Sequence, residues 1–131
     1  MHTKEQLMEM KSEQDEWQNR IRFYRDEIKQ FNQHLGKVAQ PGAPKEFMAS
    51  VEHFQNQFIR QNEVLDIIRH DFKQHENLIQ ALQEKKLGEP NDGIQKIHST
   101  QREKLDQFEK IFHELRGEFN IFLNQMAKAF S

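Results

Sequence analysis

Cysteine is absent from all 131 residues, which removes disulfides, thiolate chemistry and cysteine-ligated zinc from consideration. Proline and glycine are scarce, at 3 and 5 residues, and the glycines are dispersed, so no glycine-rich phosphate loop exists. Neither sign of charge dominates. Lys and Arg number 19 against 21 for Asp and Glu, a formal net charge of −2. The chain therefore lacks the positive surplus that a nucleic-acid backbone or an anionic lipid surface calls for. No apolar run is long enough to span a bilayer, and the first residues lead into the helical pattern without the apolar stretch of a signal peptide. The expected setting is cytoplasmic. Clustered β-branched residues and regular turn spacing, the marks of a sheet protein, are missing as well.

What the chain does have is Phe, 11 residues against one Trp and one Tyr, and a rhythm in which to place them. Leu7, Met10, Gln14, Trp17, Ile21, Tyr24, Ile28, Phe31, Leu35 and Val38 follow one another at alternating steps of three and four. A period near 3.5 aligns them as one stripe of a long helix, which needs partner helices to cover it. The same spacing recurs in Phe47, Val51, Phe54, Phe58, Gln61, Leu65, Ile68, Phe72, His75, Ile79 and Leu82. It recurs again in Ile94, His98, Gln101, Leu105, Phe108, Phe112, Leu115, Phe119, Phe122, Met126 and Ala129.

Punctuation divides the three stripes. Thr3 with Gln6, and Asp92 with Gln95, have the form of capping boxes that open the first and third helices. Gln40-Pro41-Gly42-Ala43-Pro44 breaks the first helix, with Pro44 expected as the first residue of the second. Gly88 and Pro90 stop the second. The prediction is one all-α domain, residues 1–131, with helices at about 3–39, 44–87 and 92–130. Two short connections force an elongated up-down-up antiparallel three-helix bundle, coiled-coil-like in packing. In architecture alone it resembles the spectrin-type repeat, and no motif carries that resemblance further.

Folding the chain about residues 42 and 90 predicts shared layers of Phe31, Phe54 and Met126, of Trp17, Ile68 and Phe112, and of Tyr24, Gln61 and Phe119, with a Tyr24–Gln61 hydrogen bond. Charges suggest register contacts of Lys11 with Glu76, and of Arg20 and Glu27 with Glu109 and Arg116. Gln14, Tyr24, Gln61, His75, His98 and Gln101 are the polar positions expected inside, where such groups set register at a cost in stability.

Few of the chain's residues are spaced for catalysis or metal binding. A di-metal bundle needs Glu-x-x-His on facing helices, and none of His34, His53, His70, His75, His98 or His113 has Glu three residues before it. The i,i+4 pairs Asp66–His70, Asp71–His75 and Glu109–His113 suit ordinary surface contacts as well as a metal. No serine has the surroundings of a nucleophile. The reading is a non-enzymatic protein without catalytic residues, metal or cofactor, and without nucleic-acid or membrane partners. Apolar residues beyond the needs of one bundle, namely Phe23, Ile59, Ile67 and Ile121, together with Val64, Leu78, Ile97 and Ile111 beside the seams, suggest a protein-protein interaction surface. The expected function is a structural or adaptor module that forms a homodimer or binds another helical protein. The alternative is a carrier of an apolar ligand or a lipid-surface binder.

Overall fold

The computed structural model describes residues 3–84 and 92–129. It consists of three helices, α1 (Thr3–Val38), α2 (Lys45–Gln83) and α3 (Asp92–Ala129). At 1.5 Å per residue each is about 55 Å long. The helices pack side by side as an all-α three-helix bundle, and the described residues include no strand. The side chains of Thr3 and Asp92, and residues Gly88 and Pro90, lie outside the described residues, so the capping boxes and the second stop are not placed. Pro44 is the cap of α2 rather than its first residue. Its ψ of 135° is extended, so the helix starts one position later. Gly42 takes a φ of +97°, which an L side chain rarely adopts, and so turns the chain between α1 and α2.

Among the described residues, every buried one lies on one of the three stripes, while Phe31, Val38 and Phe47 are half-buried and Ala129 is exposed. Helix periodicity alone therefore specifies the inside of this protein. The interior is aromatic. Phe54, Phe58, Phe119 and Phe122 pack ring on ring with centroids 5.2–6.4 Å apart, in stacked, tilted and edge-on arrangements.

The layers are shifted from equal-level matching. Phe31 packs on Phe58 and Phe119, and Trp17 on Phe72, one helical turn further along α2 than expected. Reversing a helix reverses the tilt of its Cα–Cβ bonds, so a side chain on α1 meets the next seam position of antiparallel α2 instead of its mirror image. Tyr24 correspondingly turns toward α3, where its ring meets Phe108 and Phe112 edge-on.

Helices α1 and α3 run parallel, and charges mark their alignment. Glu13 pairs with Arg102 at 2.7 Å, Arg20 with Glu109 at 3.0 Å, and Glu27 with Arg116 through both nitrogen arms. The three rungs lie one heptad apart, and their sign alternates along the helix. Two of them, Arg20–Glu109 and Glu27–Arg116, are the expected contacts. The third expected contact is not formed: Lys11 and Glu76 share the wall of one groove, and among the described residues no ion pair joins them.

Candidate functional site: a buried polar layer and an apolar groove

The core is divided. One cluster runs from Trp17 and Phe72 through the aromatic layers to Met126. A second, smaller cluster of Leu7, Met10, Ile79, Leu82 and Ile94 occupies the end where α1 and α3 begin. Between them all three helices place polar side chains on their seams: Gln14 from α1, His75 from α2, His98 and Gln101 from α3. All four are buried, Gln14 and His75 to within 2 % of completely.

Two nitrogens, His75 Nε2 and His98 Nδ1, lie 2.8 Å apart, and His98 Nε2 lies 3.3 Å from Glu13 Oε1. Arg102 Nη2 donates to the other Glu13 oxygen. The indole of Trp17 stacks on His98 with centroids 4.6 Å apart, and the Arg102 guanidinium sits 6.0 Å from the same indole, within cation–π range. The result is a continuous polar chain from the surface to the centre of the bundle. Burial pushes the His75 imidazole down to about 4, and the neighbouring His98 adds to that shift. Burial also lowers His98, against the upward pull of Glu13. Glu13 itself is raised by desolvation but held below its ordinary value by the hydrogen bonds from Arg102 and His98. Both amide atoms of Gln14, Nδ1 of His75 and Oε1 of Gln101 find no partner among the protein's own described groups. Such an arrangement links two imidazoles, a carboxylate and a guanidinium in one hydrogen-bonded chain.

The remaining polar seam residues separate. Gln61 is buried but lines the groove between α2 and α3. Tyr24 donates its hydroxyl to Glu109 Oε2, beside the Arg20–Glu109 bond, and not to Gln61. Burial and that carboxylate push the phenol above its ordinary value. Seam periodicity does not reach Glu13, Arg102 and Glu109, the companions of the buried polar groups, but charge spacing does, since Glu13 and Arg102 are separated by the same 89 residues as Arg20 and Glu109.

The three grooves of the bundle differ in chemistry. The groove between α1 and α2 is lined by Asp15, Arg22, Asp66, Arg69, Lys73 and Glu76, and the α1–α3 groove carries the charge ladder. The groove between α2 and α3, about 360 Å³, is lined largely by apolar groups, including Val64, Ile67, Ile68, Phe108 and Ile111. Ile67, Ile97, Ile111 and Ile121 are each exposed by 41–62 %. Ile121 falls two heptads after the groove residue Gln107 and so belongs to the same face. Phe23 and Ile59 are equally exposed but lie elsewhere. Phe23 is three residues from Arg20 and four from Glu27, on the α1–α3 side. Ile59 is one heptad before Asp66, which pairs with Arg25 of α1. The four surplus residues therefore do not form one patch.

Among the described residues, no three His, Asp or Glu groups converge as metal ligands. The i,i+4 pairs find other partners: Asp71 binds Lys104, His70 hydrogen-bonds Gln74 and His113 hydrogen-bonds Arg116. No described helix is long and apolar enough to cross a membrane. Comparison with protein families, curated proteins and solved structures finds no match to this chain.

Proposed function

We propose that this chain is a non-enzymatic helical interaction module, a structural or adaptor element of the cytoplasm that self-associates through the α2–α3 face. The observation that carries the reading is the contrast between grooves. Two are faced with charged side chains, whereas the third presents Val64, Ile67, Ile97, Ile111 and Ile121, partly or largely uncovered. Exposed apolar residues scattered singly mean nothing, but a row along one groove is the usual mark of a partner surface. A second copy brings the same apolar row, so one isologous contact would cover both.

Sedimentation equilibrium at micromolar concentration is expected to give a dimer. The double substitution Ile67→Glu, Ile121→Glu should return a monomer with unchanged helical circular dichroism. A wild-type protein that stays monomeric at tens of micromolar refutes the reading, and a variant that unfolds shows that these residues serve the core. The groove volume favours one second reading, a carrier of a small apolar ligand, because about 360 Å³ falls within the range of ligand pockets. Native mass spectrometry of the purified protein separates the two, since a carrier retains a small molecule on a monomer.

A further inference from the structure

We propose that the polar layer of Glu13, His75, His98 and Arg102 is an acid-operated latch, whose protonation opens the end of the bundle beyond it while the aromatic segment stays closed.

The hydrogen bonds of the layer admit one direction. A carboxylate only accepts, so His98 Nε2 must carry the hydrogen that reaches Glu13 Oε1. His98 Nδ1 is then the acceptor, and the 2.8 Å contact requires His75 Nε2 to be the donor. That leaves Nδ1 of His75 as a bare lone pair, buried and without a partner. The chain is complete with both imidazoles neutral. One further proton has only that nitrogen to take, where it would form a buried N–H beside a second imidazole with no acceptor within hydrogen-bond distance in the closed layer, and such a group is costly to bury.

The charges around the pair do not relieve this. From α1 it faces Glu13, which already accepts from Arg102 of α3. From α2, Glu76 lies on the groove wall beside Gln14, together with Lys11 of α1. Among the described residues, Glu13 is the one carboxylate bonded to the pair, and an arginine shares it. The depressed imidazole values agree with this geometry. The sign follows from linkage. Above about pH 6.5 the closed and open states are both neutral, whereas below it the open end binds a proton that the closed layer refuses. Opening is therefore favoured tenfold per pH unit per proton, down to about pH 4 for His75.

Only the end should respond, because beyond the layer five apolar side chains hold the three helices together, against the continuous aromatic cluster on the other side. A segment with so small a core, cut off by a polar layer, is suited to open below the global unfolding free energy. Opening would bare Leu7, Met10, Ile79, Leu82 and Ile94, an apolar surface that the neutral protein conceals.

Amide hydrogen exchange, corrected for intrinsic rates, tests this between pH 7.5 and 5, above the range in which carboxylates titrate. Protection of amides in 7–14 and 75–82 should fall about 30-fold between pH 7.5 and 5 for a single proton. Protection around Phe58 and Phe112 should hold. A uniform loss along the chain, or none, overturns the proposal. The variant His75→Gln, His98→Gln should abolish the pH dependence, and retention of it overturns the proposal equally. Should that variant fail to fold, NMR titration of the wild-type imidazoles decides, because a His75 that titrates near 6.5 is incompatible with the latch.

Discussion

Replacing Gln14 with leucine should make this protein more stable. Gln14 is 1 % exposed, and neither its amide oxygen nor its amide nitrogen has a partner. A buried, unpaired amide costs about 1–3 kcal/mol relative to the hydrated unfolded chain. Leucine has a similar volume, avoids that cost and joins Met10 to Trp17 along the α1 seam, so a gain of about 2 kcal/mol is expected. With an unfolding entropy of about 2.1 cal/mol/K per residue, 131 residues give about 0.28 kcal/mol/K, and 2 kcal/mol raises Tm by about 7 °C. Urea unfolding followed at 222 nm should show a higher midpoint with an unchanged slope, since the surface exposed on unfolding hardly differs. The two apolar clusters would then be continuous on one helix, so the end segment should also gain hydrogen-exchange protection. A loss of 1 kcal/mol or more would refute the reasoning and show that the amide makes bonds that hold the layer together.

The remaining predictions concern packing, charge and pH. Phe119→Ala should cost about 3–5 kcal/mol by denaturant unfolding, because Phe119 is fully buried among Phe31, Phe54 and Phe58. Arg116→Glu should cost about 2–3 kcal/mol, losing a two-armed pair with Glu27 and a contact with Phe112, and placing two carboxylates together. Adding Glu27→Arg should recover at least 1 kcal/mol, and a strictly additive double mutant would show that the pair contributes nothing. Global stability should fall with acid by about 1.4 kcal/mol per pH unit for His75 alone between pH 6.5 and about 4, since the unfolded chain binds the proton first. Chemical denaturation at a series of pH values reads that slope directly.

How much was legible beforehand depends on the range of the interaction. Which side of each helix is buried follows from periods within one segment, and all five of the polar seam residues Gln14, Gln61, His75, His98 and Gln101 are indeed buried. Two rungs of the charge ladder could be found because opposite charges at equal spacing name each other across helices. The partner of Tyr24 could not be found by mirror-matching, because the opposed tilt of side chains on antiparallel α1 and α2 offsets the height at which they meet. That height is visible only where rings interlock, as Phe31 does with Phe58. Nor could spacing show that Phe23 and Ile59 look out from different sides than Ile67. That needs all three helices in place, with the ion pairs of Arg20, Glu27 and Asp66 to tell the grooves apart.

Long rods with repeating stripes face a hazard that compact domains avoid: sliding by one repeat leaves the apolar contacts nearly as good as before. Here the order of signs along α1 and α3 obstructs such sliding. Moving α3 by seven residues in one direction sets Glu13 against Glu109 and Arg20 against Arg116. Moving it the other way sets Arg20 against Arg102 and Glu27 against Glu109. A displacement of two repeats would leave about 20 Å of each helix uncovered at the ends. A ladder of uniform polarity would hold the helices together no less strongly yet tolerate both neighbouring alignments.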